Sequence, residues 1–157
     1  MSIRRFAAGD EAALHRVFLS AIHETASRDY TLQQVCAWAP VDLDAQLWAA
    51  RMQGIQPFVA EQAGFILGYA DVQANGYIDH FFVAGSASRR GVGRLLMERI
   101  HEEARTLRLA ELTSDVSLTA EPFFAHFGFA VVERRMPVMR GVPMPNALMH
   151  KPLRQVA

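Results

Sequence analysis

The chain has 157 residues, 51% of them apolar and 20% charged, enough for one domain (1–157) with a proper core and too few for two. Sixteen basic residues balance sixteen acidic ones, so no global field draws it to nucleic acid or an anionic membrane, and any charge-based function is local. No apolar stretch nears the roughly 20 residues of a membrane span, Met1–Arg5 opens no signal segment, and a cytoplasmic location is the default expectation.

Ile3-Arg4-Arg5-Phe6 alternates apolar and polar and stops at Gly9-Asp10, as a short strand does. From Asp10, a residue suited to an N-cap, Leu14, Val17, Phe18, Ala21 and Ile22 repeat at helical spacing. Helices are predicted over Thr31 to Trp38, closed by Pro40, and over Leu43 to Met52, ending near Gly54. The first of these holds the single cysteine, Cys36, which can form no internal disulfide and reads as a small, partly buried residue. Then the rhythm changes. Pro57–Glu61 and Phe65–Val72 are strand-like runs around Gln62-Ala63-Gly64, and Asn75-Gly76 turns the chain into Tyr77–Val83. A long amphipathic helix through Val92, Leu96, Ile100 and Leu107 follows, then a strand near Leu112–Val116 and a short helix from Ala120 to Phe127. Phe129–Val132 and Ala147–Met149 are the last strands, with a bent hairpin over Met136–Pro145 between them. About seven strands flanked by helices make an α+β sandwich. The long helix can return the chain to a strand parallel to Tyr77–Val83, as a crossover requires.

Gly91 and Gly93 stand between a predicted strand and a predicted helix. Glycines there let the backbone approach a ligand closely. Free amides at the positive end of the helix suit a phosphate, and Arg89, Arg90 and Arg94 add local positive charge. On its own the loop fits a phosphate seat or an ordinary turn equally well. The P-loop pattern is absent, and the dinucleotide fingerprint fails because position 96 is Leu and the loop comes late.

Ser88-Arg89-Arg90-Gly91-Val92-Gly93 resembles the Gln/Arg-x-x-Gly-x-Gly/Ala motif of the GNAT superfamily of N-acetyltransferases, with Ser88 departing at the first position. Tyr77–Val83 is similar to the family's fourth strand, and Ala120-Glu121-Pro122-Phe123-Phe124-Ala125-His126-Phe127-Gly128-Phe129 to its later Ala-x-x-Phe-Tyr-x-x-x-Gly-Phe motif. The order of elements agrees from Ile3 to about Leu153. The resemblance implies a mostly antiparallel sheet, splayed between its fourth and fifth strands into a cleft for acetyl-CoA. It implies backbone pairing of Phe82 and Val83 with the pantetheine arm. The amides of Arg89, Arg90, Gly91, Val92, Gly93 and Arg94 would take the pyrophosphate, with Ser88 in the cofactor loop but lacking the motif's long polar side chain, and Ser117 beside the cofactor. Phe124 occupies the place of the motif's tyrosine, often the acid for the leaving thiolate, and has no proton to give.

An amine must lose a proton before it attacks a thioester. His80 is the favoured base and Asp79 the second, because both sit in an otherwise apolar strand where polar groups are costly. Neighbours on a strand face opposite ways, so they form no dyad unless a bulge intervenes. The competing reading makes His80 a structural hydrogen-bond donor and Asp79 a loop cap. The resemblance places the acceptor pocket against the early helices and final hairpin, with His23, Tyr30 and Trp38 as its candidates; simple packing of Tyr30 and Trp38 is the alternative. His15, His101, His126 and His150 have no ligand spacing, and no metal is expected. The partner is then an amine, on a small molecule or a protein. The Met-rich run from Met136 to Met149 can cover its own sheet or a second copy, as in a homodimer. The alternative function is a non-catalytic acyl-CoA-binding module, and a third reading is a nucleotide-binding regulator.

Overall fold

The computed structural model describes residues 1–154; positions 155–157, which close the domain range expected above, lie outside it. Strand β1 (Ser2–Arg5) leads into α1 (Glu11–Ser20), α2 (Leu32–Trp38) and α3 (Ala45–Ile55). Helix α1 stops at Ser20 and does not run on through Ile22. The next turn, Ala21–Thr25, widens to i→i+5 bonding, and Ala26–Arg28 tightens again. Helix α2 starts at a reciprocal cap between Thr31 and Gln34. Its inward face carries Val35 and Ala37, and Cys36 between them is exposed rather than partly buried. Asp44 caps α3 by accepting from the amides of Gln46 and Leu47.

Strands β2 (Phe58–Gln62) and β3 (Phe65–Ala70) form the expected hairpin, with Ala63 and Gly64 both at positive φ. The expected continuous strand Tyr77–Val83 is instead two pieces, β4 (Tyr77–Ile78) and β5 (Phe81–Val83). Helix α4 (Val92–Thr106) follows, then β6 (Glu111–Ser117), α5 (Glu121–His126), β7 (Ala130–Arg135), the small hairpin β8 (Val138–Met139) with β9 (Val142–Pro143), and β10 (Asn146–Pro152). The strand count therefore exceeds seven because the fourth strand divides and the Met136–Pro145 hairpin pairs with itself.

The strands form two four-stranded sheets, β1-β2-β3-β5 and β4-β6-β10-β7. All pairs are antiparallel except β4 with β6, which lie parallel as the α4 crossover requires. Helix α4 covers one face of the first sheet, burying Val92, Leu96, Met97, Ile100 and Ala104. Gly68 permits the close approach: a Cβ there would lie 2.9 Å from the Val92 side chain. Its neighbour Tyr69 points to the other face, where its ring meets Trp48, His80 and Phe82 beneath α1 and α3. Met144 and Met149 of the tail are buried in this chain's own core, while Met136 and Val138 are exposed.

Candidate active site

The break between β4 and β5 has a specific cause. Asp71, just beyond β3, is 1% exposed, and a bare carboxylate so deep would be costly. Its Oδ1 accepts from the amides of Asp79 (3.0 Å) and His80 (2.6 Å), and its Oδ2 from Gln73 Nε2 (2.6 Å). The carboxylate replaces a strand partner at this point, so the ladder stops. Burial, partly offset by these donors, raises the Asp71 carboxyl to about 6.

Beyond the break the hydrogen-bond parity is set by Asp71 N–H donating to the His80 carbonyl and Ala84 N–H to the Leu67 carbonyl. In an antiparallel ladder these groups alternate sides. Phe82 therefore spends its backbone on Tyr69, and the amides and carbonyls of Phe81 and Val83 turn outward. Among the described residues they have no strand partner, because β6 pairs with β4 and β10 instead. The two sheets part between β5, the second half of the expected fourth strand, and β6, the expected fifth, while β4 stays paired with β6. Of the two residues expected to offer backbone groups, Phe82 has its own engaged by Tyr69, while those of Val83 and of Phe81 face outward.

The glycine loop continues from that edge. Gly85–Ala87 makes one tight turn, Arg89 sits at φ +63 and Gly91 at φ +82, and α4 begins at Val92. A left-handed non-glycine residue such as Arg89 costs about 1–2 kcal/mol. Among the described residues no group accepts from the amides of Arg89, Arg90 or Gly91. Those of Val92, Gly93 and Arg94 are first-turn amides that a helix leaves unpaired. Six successive amides at a helix start make an anion seat. Ser88, Arg89, Arg90 and Arg94 are exposed. Arg90 is tethered to Gln62 at 2.6 Å and Arg94 lies over the Phe127 ring. The Val92 side chain is buried, so only its amide is available. At Gly93 a Cβ would come within 3.0 Å of the Phe123 ring, so this glycine lets α5 pack beside the loop.

On the other face, a cavity of about 720 Å³ lies between the helices and the β8–β9 hairpin. The rings of Phe18, Tyr30, Trp38, Trp48 and Phe82 line it, with Asp79, His80, Asp115, Ser117, Asn146 and the guanidinium-bearing Arg51 and Arg140. Asp79 and His80 both reach it although they are sequence neighbours, since the strand is interrupted between β4 and β5. Tyr30 and Trp38 stack edge to face at 5.5 Å. The Tyr30 hydroxyl donates to the Pro145 carbonyl (2.6 Å) and accepts from the Leu118 amide (2.9 Å), pinning the hairpin to the end of β6. His23 is absent from the lining: its Nε2 is 2.7 Å from the Ala39 carbonyl, a tie made possible by the widened turn. Ser117 lines the cavity while its Oγ accepts from the Ala120 amide.

His80 is 4% exposed and ringed by Phe18, Trp48, Tyr69 and Phe82. Its Nδ1 is 2.9 Å from the Tyr69 hydroxyl. Burial, reinforced by the Arg51 charge, pushes the imidazole down to about 3, so it is neutral near pH 7. Burial moves the Asp79 carboxyl the other way, upward, with Arg51 opposing. Phe124 is 2% exposed, packed among Phe81, Phe123 and Phe129. Its ring is in the core rather than on a free cofactor-facing surface. Among the described residues no cluster of three or more metal-ligating side chains occurs, and no helix is long and apolar enough to cross a membrane.

Asp71, Tyr69, Arg51, Asp115 and Asn146 were not singled out from the sequence. Asp71 had a usable signal, since it is the one charged residue in the run Phe65–Val72. The others are ordinary strand and helix residues until the fold brings them together.

A splayed α+β sheet with an amide-rich loop at a helix start is the architecture of an acyl-CoA-dependent transferase. The chain belongs to the GNAT acetyltransferase family: the acetyltransferase (GNAT) domain model matches residues 26–146. Over 157 residues it is 34% identical to the uncharacterized N-acetyltransferase YafP of Escherichia coli K12, covering 97% of each chain. A GCN5-related N-acetyltransferase of Rhodopseudomonas palustris superposes with TM-score 0.92 at 28% identity, over 97% of this chain and 95% of that one. The PaiA N-acetyltransferase of Thermoplasma acidophilum, solved with coenzyme A, shares the fold with TM-score 0.73 at 15% identity, over 97% and 98%. The chain is an N-acetyltransferase.

Proposed function

We propose that the chain acts as one acetyltransferase domain that moves the acetyl group of acetyl-CoA to a primary amine of a small molecule held in the 720 Å³ cavity. The observation that carries this is the double aspect of β5. Its Phe81 and Val83 backbone groups face the parted edge that runs on into the glycine loop, while the Phe82 ring lines the cavity. Acetyl-CoA supplies an acetyl group activated as a thioester. The pyrophosphate seat is the amide run from Arg89 to Arg94, the pantetheine contacts are Phe81 and Val83, and an outward amide of β5 serves as donor to the carbonyl oxygen. A volume within the range of small-ligand pockets favours a small acceptor over a protein.

Asp79 is the base in this reading. Burial pushes the His80 imidazole down to about 3 and the Asp79 carboxyl upward, so Asp79 is the stronger base of the two. The upward shift also makes Asp79 a stronger base than a free carboxylate. It lines the same cavity, and among the described residues its carboxylate has no hydrogen-bond or ion-pair partner. His80 becomes a neutral positioning residue, fixed by Tyr69 and by the Asp71 grip on its amide. Phe124 gives no proton, so the thiolate is protonated from solvent or unprotonated as it leaves.

Release of free thiol from acetyl-CoA, followed across small primary amines and lysine-bearing peptides, tests the assignment. Small amines should be turned over and peptides should not. Tight CoA binding with no turnover on any amine would leave a binding module only, and preference for peptides would overturn the small acceptor.

A further inference from the structure

Two opposite charges line the cavity without cancelling each other. Among the described residues Arg51 makes no hydrogen bond and no ion pair, and neither does the Asp79 carboxylate. Arg51 is close enough to bias the protonation of Asp79, His80 and Tyr69, yet it lies beyond the 4.0 Å of an ion pair with Asp79. The cavity's other charges are engaged: Asp115 accepts from Tyr77 (2.8 Å) and pairs with Arg135 (3.1 Å), and Arg140 donates to the Ala37 carbonyl (2.6 Å). A third unsatisfied group lies in the same lining. Asn146 Oδ1 is buried with no hydrogen-bond partner, a state that costs about 1–3 kcal/mol unless a ligand donates to it. Between these groups the wall is aromatic and aliphatic, with Trp38, Phe82, Leu43 and Leu47.

A cation and an anion held apart, with an apolar wall beside them, match a zwitterion with an apolar body. We infer that the acceptor is an α-amino acid with a large apolar or aromatic side chain, its carboxylate on Arg51, its α-amine toward Asp79, and its side chain against Trp38 and Phe82. The inference rests on the acetyl-transfer reading and names its substrate class. A simple amine would make no use of the Arg51 guanidinium, which at this exposed position otherwise meets only solvent, and a dicarboxylate would meet Asp79 with like charge. Guanidinium is suited to the carboxylate because its fork matches the two oxygens. In the reaction the α-nitrogen bonds to the acetyl carbon as the thioester C–S bond breaks, and the electron pair leaves on sulfur. Nitrogen loses two protons, one through Asp79 to solvent and one to water as the tetrahedral adduct collapses, while the thiolate leaves unprotonated or takes a proton from solvent.

Thiol release with acetyl-CoA is measured for L-phenylalanine, L-tryptophan and L-methionine, each against the amine that lacks its carboxylate. Wild type should favour each amino acid at least tenfold in kcat/KM. In Arg51→Met, an exposed position, the paired KM values should converge, chiefly by a rise for the amino acids. An amine used as well as its amino acid by wild type, or a preference that survives in Arg51→Met, overturns the inference and leaves acetyl transfer standing. Should nothing turn over, thermal shift with L-phenylalanine in the presence of CoA decides. Stabilisation lost in Arg51→Met supports the zwitterion site and overturns the transfer reading alone; no stabilisation of wild type overturns the inference.

Discussion

The glycine loop and the cavity lie at the two ends of one strand and are built in opposite ways. The loop is six contiguous residues whose working parts are backbone amides, open to solvent and rimmed by arginines. The cavity is assembled from side chains between Phe18 and Asn146, is walled by aromatic rings, and carries its charged residues at exposed positions. A backbone site tolerates most side chains around it, as Ser88 at the motif's first position illustrates. A side-chain site changes its ligand with each replacement. One region therefore speaks for the family's shared chemistry and the other for this chain's own substrate.

If that contrast is right, damage to the cavity should show in turnover or stability and spare CoA binding. The largest effect is expected from Asp79→Asn: kcat should fall about 10²-fold or more, the usual cost of a lost general base, with CoA affinity unchanged by calorimetry. The wild-type rate should fall as pH drops through the raised Asp79 pKa, and His80→Gln should keep that limb, since His80 is neutral above about 3. A limb that vanishes in His80→Gln would return the base to His80.

Asp71→Asn comes next, with about 1–3 kcal/mol of stability lost near pH 4 as the donors facing the carboxylate lose their acceptor geometry. The pH sign is specific. The folded Asp71 carboxyl, at about 6, lies above its unfolded value near 3.9, so folding favours the protonated form. Its contribution is full below pH 4 and is lost as pH rises through 6, by about 3 kcal/mol. The stability advantage of wild type over Asp71→Asn in urea titrations should shrink over that interval.

Phe124→Tyr sharpens the comparison from the core side. The new hydroxyl would enter an aromatic cluster that is closed to solvent, costing about 1–3 kcal/mol in denaturant unfolding if it finds no partner. Turnover should not rise. A faster enzyme would show that the ring does reach the reacting sulfur. The smallest change is expected for Tyr69→Phe, which removes one buried hydrogen bond to His80. It should cost about 1 kcal/mol or less in turnover, read as a few-fold fall in kcat.

The sequence exposed the contiguous features well. The helical stripe of α4, the Gln62–Gly64 hairpin and the parallel return of β6 follow from periodicity and turn chemistry. What it hid was non-local. Nothing near Tyr77–Val83 shows that a carboxylate from Asp71 will cut that strand in two, and the cut both parts the sheets and lets Asp79 and His80 share a cavity. Parity of the β3–β5 ladder, which shifts the free backbone groups from Phe82 to Phe81, is likewise set by a partner strand. His23 had the right residue type and the wrong surroundings, because the widened turn after Ser20 aims it at Ala39. Arg51 and Asn146 carried no local sign at all.

The central claim is that the amides from Arg89 to Arg94 seat the pyrophosphate, and Gly91 tests it most directly. Its φ of +82 disfavours any side chain, and a Cβ there meets nothing within 4 Å, so a glutamate would place an anion in the open seat. Calorimetric titration of CoA, and of pantetheine without the pyrophosphate, into wild type and Gly91→Glu gives the comparison. CoA should bind wild type far more tightly than pantetheine, and Gly91→Glu should reduce CoA to the pantetheine level while pantetheine itself is unaffected. CoA binding equally well to both proteins would contradict the account.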